Sequence, residues 1–207
     1  MNPHYQLNFE LQSYWHIGNG KEGGAYADTL VLKDKNGLPY LPGKSIKGLL
    51  REAFTTAQTN HWFESEESDL IKLLFGNEMR DGEEAQGLIQ VSSAFLSTEE
   101  IAYFNHQPEA KSHLYRVVSS TAIDHEKCVA KETSLRSMEV TVPVTLVAQI
   151  SLNTTYLSKL PSDAKYLAQF TTWLSQVITL ITELGAKRHR GFGKVIVSVQ
   201  TSIGEPL

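Results

Sequence analysis

Alternating apolar and polar residues open the chain. Tyr5, Leu7, Phe9 and Leu11 interleave with Gln6, Asn8, Glu10 and Gln12, the period-two signature of a strand with one buried face. The same period returns near the other end, where Val195, Val197 and Val199 predict a last strand. Between them the period twice becomes that of a helix. Ile46, Leu49, Leu50, Ala53, Phe54 and Ala57 predict a helix over Ser45 to Ala57, with Ser45 as a simple cap. Tyr166, Leu167, Phe170, Trp173, Leu174, Val177, Ile178 and Ile181 predict a second, longer helix. It starts at Ser162 and Asp163, lays a wide apolar stripe on a sheet and ends with Gly185 as its C-cap.

Weaker patterns fill the remainder. Residues 29–33 read as a short apolar strand, followed by the turn Asp34-Lys35-Asn36-Gly37. An amphipathic piece lies around 69–75, and 76–86 reads as an exposed acidic loop. Leu88, Ile89 and Val91 begin a strand; residues 117–123 form another; residues 140–152 form a third, with Val142, Val144 and Leu146 on one face. Residues 97–120 have weak periodicity. The order β, long loop, α, β, insertion, β, α, β fits an α+β, ferredoxin-like (RRM-like) β-α-β-β-α-β core. It predicts helices on one face of an antiparallel sheet, in a single domain over 1–207 with insertions near 60–86 and 97–139.

Composition narrows the class. A hydrophobic fraction of 41% in 207 residues suits one globular domain with a sizeable core. One cysteine, Cys128, excludes an internal disulfide framework. With no signal peptide and no apolar run that would span a bilayer, the expected location is cytoplasmic, away from any membrane. The net charge of −4 does not advertise a nucleic-acid binder, but its distribution does. Glu64, Glu66, Glu67, Asp69, Glu78, Asp81, Glu83 and Glu84 crowd one region, while cations gather around 33–51 and 187–194. Charge segregated in this way can bind a phosphate backbone despite an acidic total.

Two stretches carry candidate chemistry. In Pro42-Gly43-Lys44-Ser45-Ile46-Lys47-Gly48-Leu49-Leu50-Arg51, the cations Lys44, Lys47 and Arg51 fall at i, i+3 and i+7. Gly48 shares their face and carries no side chain to hold a ligand away. A phosphate there would meet helix-end amides, the helix dipole and cations together; the alternative is an amphipathic helix with a solvated basic side. The second stretch is a glycine-rich basic turn before the last strand, with Gly185, Lys187, Arg188, Arg190, Gly191, Phe192 and Gly193. A glycine-rich loop over 14–27 also holds Trp15 and His16, and His16 reads as a polar loop residue, an RNA contact or an acid or base. Asp28, at the end of that loop, reads by itself as a turn or cap residue.

The two stretches together resemble the RAMP superfamily of CRISPR-associated proteins. That family has a "PG-x-S-x-K-G-x-x-R" helix start and a C-terminal glycine-rich basic loop that ends in G-x-G. Pro42, Gly43, Ser45, Lys47, Gly48 and Arg51 match the first, and Gly185, Lys187, Arg188, Gly191, Phe192 and Gly193 the second. Gly87 to Ala94 is similar to the family's "G-x-[LIV]-x-[FV]-S-x-A" strand. Ile123, Asp124 and Ala130 match the strand that starts a projecting thumb hairpin, where His125 replaces the usual arginine; Lys131 and Arg136 flank that hairpin. The resemblance implies a backbone-type subunit of a type III CRISPR effector complex, with guide CRISPR RNA, target RNA and other RAMP subunits as partners. It places Asp28 where backbone subunits keep the aspartate of target-RNA cleavage. Such an aspartate acts as a base or holds Mg²⁺ or another divalent cation shared with phosphate oxygens. The same resemblance allows a non-catalytic structural or capping subunit, and ranks a guide-RNA-processing endoribonuclease lower.

Overall fold

In the computed structural model, which describes residues 4–63, 70–77, 85–124, 126–153 and 163–202, the first strand lies in the middle of a sheet. In chain order the elements are β1 (His4–Leu11), α1 (Gly43–Thr59), α2 (Leu70–Phe75), β2 (Gly76–Asn77), β3 (Ala85–Gln86), β4 (Ile89–Val91), α3 (Thr98–His106), β5 (Tyr115–Ser120), β6 (Ile123–Asp124), β7 (Val129–Ala130), β8 (Arg136–Thr141), β9 (Thr145–Leu152), α4 (Asp163–Val177) and β10 (Val195–Ser202). The main sheet has the order β10-β1-β9-β4, and every neighbouring pair is antiparallel. Its members are the fourth, first, third and second core strands, with α1 between the first two and α4 between the last two. That is the ferredoxin-like arrangement predicted from the order of elements.

One face of this sheet is dry. Tyr5, Leu7, Phe9, Leu146, Ala148 and Ile150 are fully buried against Ile46, Leu50 and Phe54 of α1 and Phe170, Leu174 and Val177 of α4. Phe170 meets the Tyr5 ring edge-on at 5.2 Å and stacks on Phe54 at 6.3 Å, so both helices cover the same face. The other face carries Gln6, Asn8, Glu10, Gln149 and Ser198. The four strands put no Phe, Tyr or Trp there; the aromatic on that side is Phe95, bridged to Val147 and stacked on Tyr40 at 5.6 Å. Most side chains over 119–137 are exposed around the small β6–β7 hairpin, which extends the β5–β8 ribbon.

Several local expectations change. The first helix begins at Gly43, not Ser45: Pro42 sits at the cap position with φ −61° and ψ 138°, and its carbonyl accepts from Ser45 and Ile46. Proline favours that extended geometry and lacks the N–H a further turn would need, and no side chain caps the end. Residues 29–33 make single rungs, Thr29 with Met138 and Val31 with Gly18, rather than a strand. The 140–152 strand is two strands, β8 and β9, divided at Val142-Pro143-Val144, where Pro143 has no N–H for a ladder. Gly185 is not the helix cap: α4 ends at Val177, passes through a 3-10 turn at Ile178–Leu180, and reaches Gly185 only later. The weakly periodic 97–120 stretch holds α3, closed by a capping box in which the Ser97 hydroxyl accepts from Glu100 N–H while the Glu100 carboxylate accepts from Ser97 N–H. The acidic residues Glu64, Glu66, Glu67, Asp69, Glu78, Asp81, Glu83 and Glu84, together with His125, Ser162 and the side chains of Tyr166 and Leu167, lie outside the described residues.

The long loop after β1 is held by one buried acid. Glu139 of β8 is 2% exposed, and its carboxylate accepts from Val31 N–H at 3.0 Å, from Lys33 Nζ at 2.9 Å and, more loosely, from the Tyr26 hydroxyl at 3.4 Å. Its main chain adds two links: the Glu139 N–H donates to Thr29, and the Glu139 carbonyl accepts from His16 Nδ1 at 2.6 Å. Lys33 also lies 3.8 Å from the centre of the Tyr115 ring, whose hydroxyl donates to Gly37. Burial, and then the Glu139 and Asp34 charges, push the Tyr115 phenol far above its ordinary pKa. Removing the lysine strands a buried carboxylate, so Lys33→Met should cost about 3 kcal/mol, a melting shift of roughly 6–12 °C in thermal denaturation. Glu139→Gln, which keeps the acceptor for Val31, should cost less.

Candidate nucleic-acid interface

The two candidate stretches are far apart in the chain and meet in the fold. An open groove of about 600 Å³ is lined on one side by Ser45, Gly48 and Glu52 of α1, on the other by Gly185, Ala186 and Arg188, and at its floor by His16 and Gly18. Two main-chain bonds hold the C-terminal turn against the first loop: Ala186 N–H donates to His16 O at 2.8 Å, and Gly193 N–H to Tyr14 O at 2.7 Å. An added Cβ at Gly48 would meet nothing within 4 Å, so this part of the groove wall is open.

Each glycine of the turn has its own reason. Gly185 and Gly193 adopt φ of 80° and 72°, and a Cβ there would collide with the carbonyl oxygens of His16 and Leu184 respectively. Both are fixed by the protein's own packing. Gly191 has φ 82° but open space around it, so only its backbone conformation selects glycine. Lys187, with φ 57°, enters the same left-handed region and turns the chain into the short 3-10 segment Arg188–Arg190. Lys187 and Arg190 are exposed, Phe192 is half-buried, and Arg188 reaches to within 3.8 Å of Glu52 across the groove.

The basic helix divides its charges. Gly43 is pressed against the main chain at Val91 and Ser92, and its N–H donates to Ser93 Oγ. With Ser45 and Ile46 donating to Pro42, Lys44 N–H is the first-turn amide left without an acceptor among the described residues. An anion at this helix end therefore meets fewer free amides than the sequence suggests. Lys44 is exposed and Lys47 half-buried; neither they nor Arg51 line the groove, and they flank Gly48 on its far side. Burial, then the nearby Arg51 guanidinium, lowers the Lys47 pKa, and Arg51 makes a long 3.5 Å contact to Gly76 O.

Asp28 does not line the groove; it is a loop residue bonded to β8. Its Oδ2 accepts from Ser137 N–H at 2.6 Å and from Ser137 Oγ at 3.3 Å, while its own N–H donates to Ser137 O at 3.1 Å. These bonds fix the carboxylate and leave Oδ1 unengaged at an exposed position. Arg136 is the residue before its anchor, and Lys131 lies at the base of the β6–β7 hairpin; both are exposed. Among the described residues, no group of three or more His, Cys, Asp or Glu side chains gathers as a metal site. No helix is long and apolar enough among them to cross a membrane. Glu139, Ser137 and Glu52 were not legible as site residues: acids and serines on a strand or helix surface carry no spacing signal.

A family model described as the RAMP superfamily matches residues 8–196. The fold is similar to a chain in "Cryo-EM structure of the Type III-B Cmr-beta bound to cognate target RNA", with a TM-score of 0.66 and 11% identity over 95% of this chain and 96% of that one. It is also similar to a chain in "Type III-B Cmr-beta Cryo-EM structure of the Apo state", with a TM-score of 0.62 and 13% identity over 95% and 96%. No curated protein matches the sequence.

The contrast among the turn glycines is testable. Gly193→Ala drives a methyl into the Leu184 carbonyl and should cost about 3 kcal/mol, whereas Gly191→Ala should cost about 1 kcal/mol. Thermal melting of the two variants measures the difference.

Proposed function

This chain belongs to the RAMP superfamily, and on that premise we propose that it is an RNA-binding subunit of a type III CRISPR ribonucleoprotein. The observation that carries the reading is the groove where the start of α1 faces the turn over 185–193. Cations stand on both of its flanks: Lys44, Lys47 and Arg51 on α1, and Lys187, Arg188 and Arg190 on the turn. Ser45 and Gly48 keep the α1 wall low enough for a sugar–phosphate chain, while Gly43, Gly185, Gly191 and Gly193, with Phe192 between the last two, shape the backbone that forms the groove's two ends. Such a groove grips phosphates and leaves base edges free to pair, the division of labour of a guide-RNA complex. The fold's likeness to Cmr chains supports the same assembly, with guide CRISPR RNA, target RNA and other subunits as partners. Lys131 and Arg136, at the base of the exposed hairpin, are proposed contacts to the paired strands.

Asp28 is the proposed catalytic residue for target-RNA cleavage. Ser137 holds one carboxylate oxygen and aims the other outward, so Asp28 is positioned rather than floppy. In the reaction the 2′-hydroxyl of a splayed nucleotide attacks its own phosphorus, the 5′-oxygen leaves, and a 2′,3′-cyclic phosphate remains. Oδ1 accepts the proton from the 2′-hydroxyl. A lone carboxylate fits Mg²⁺ or another divalent cation only when phosphate oxygens and waters complete its shell, and such a cation supplies neutralisation of developing charge. The location expected for such a complex is the cytoplasm. A scaffold role for the same subunit follows if no cutting depends on Asp28.

Two measurements test this. Lys47→Ala with Arg51→Ala should weaken guide-RNA binding roughly tenfold and reduce its salt slope by about 1.4, at about 0.7 per lost phosphate contact. An unchanged slope in a filter-binding titration would remove α1 from the phosphate path. In an assembled complex with labelled target, Asp28→Ala should slow divalent-dependent cutting by about 100-fold or more while both RNAs stay bound. Equal rates in the native and Asp28→Ala complexes would acquit the residue.

A further inference from the structure

The groove floor holds a buried side chain with an unused polar atom. His16 is 4% exposed. Its Nδ1 lies 2.6 Å from the Glu139 carbonyl oxygen. A carbonyl oxygen only accepts, so Nδ1 carries the hydrogen, and in the neutral ring Nε2 presents a lone pair. Nε2 has no hydrogen-bond partner among the described residues and is not itself fully enclosed, and His16 borders the groove. The residue is pinned from both sides: its ring by Glu139, and its own carbonyl by the Ala186 N–H at 2.8 Å. Gly18 keeps the atom accessible, since a Cβ at that position would stand 3.1 Å from Nε2. Gly48 leaves open space on the facing wall.

A fixed acceptor selects a donor. Phosphate oxygens only accept, and a deoxyribose carries no polar hydrogen on its 2′ carbon. A ribose 2′-hydroxyl carries one, within the same backbone that the flanking cations would hold. We infer that His16 is a specificity-determining residue whose Nε2 accepts a hydrogen bond from a ribose 2′-hydroxyl, so that the groove distinguishes RNA from DNA. The inference rests on the proposed RNA-binding reading of the groove and adds to it the group that is read. A binding group that covers this acceptor without pairing it loses affinity, whereas cations alone treat both sugars alike.

The test titrates the purified chain by fluorescence anisotropy at about pH 8, above the ordinary imidazole range. The probes are a short labelled single-stranded RNA, its 2′-fluoro counterpart and the DNA of the same sequence. The 2′-fluoro probe keeps the RNA sugar pucker but has no 2′ donor. The native protein should bind RNA about fivefold or more tighter than the 2′-fluoro probe. His16→Phe should bind both alike. Gly18→Ala, which keeps His16 and its bond to Glu139 but sets a methyl against Nε2, should narrow the ratio by at least half. Native protein that binds RNA and 2′-fluoro RNA equally overturns the inference and leaves the RNA-binding reading intact. Variants that keep the native ratio overturn it as well. Native protein that binds no probe overturns both readings together.

Discussion

A buried carboxylate must be compensated, and Glu139 draws the surrounding chain in to do it. Its side chain and main chain together hold His16, Tyr26, Thr29, Val31 and Lys33. Those residues span the glycine-rich loop that would otherwise be the least constrained part of the structure. One residue in one strand, through its main chain as well as its carboxylate, thereby fixes the histidine of the groove floor and the approach to Asp28. The lysine partner is not a free surface cation: it lies over the Tyr115 ring, and that tyrosine holds the turn at Gly37 through its hydroxyl. The interaction is therefore a network rather than an ion pair, and its value lies in placing a loop that has few apolar residues of its own.

The groove is electrostatically mixed. Glu52 lies on its wall and faces Arg188 at 3.8 Å, both well exposed, so the pair is weak in water. The pair leaves the Arg188 guanidinium only loosely engaged. A phosphate with two charged oxygens can displace one exposed carboxylate, because a guanidinium pairs with either in the same fork geometry. The cations beyond Gly48 have no such internal rival among the described residues, and Lys47 and Arg51 instead raise one another's cost.

What the sequence made legible follows from what each signal depends on. The first and last strands, β1 and β10, and the two sheet-packing helices were readable because one buried face imposes a period. Pro143 was visible too, but the apolar run through it hid the break between β8 and β9. The Ser97–Glu100 capping box was present in the letters and overlooked because the helix it starts has no buried residue. The pair of basic glycine-rich stretches was legible as a resemblance, and the fold does bring them to one groove. Their finer assignment was not: two of the three turn glycines, Gly185 and Gly193, serve the protein's own carbonyls, and α1 keeps its cations off the groove wall. Glu139 was unreadable in principle. An acid in an alternating strand looks like a solvent-facing residue until a loop closes over it.

The hydrogen-bonded register of β1 with β10 runs from His4–Ser202 to Leu11–Val195, joining the earliest and latest strands side by side. Pairings of such sequence separation form only after nearly everything between them exists. During synthesis, the helix start at Gly43 and the loop through His16 leave the ribosome long before the turn at 185–193 that completes the groove. A nascent chain thus has half of its binding walls for most of its translation, without the carbonyl contacts that shape the other half. The groove is completed in one late step, when the last strand docks, so the order of strands in the sheet also sets the moment at which its two walls meet.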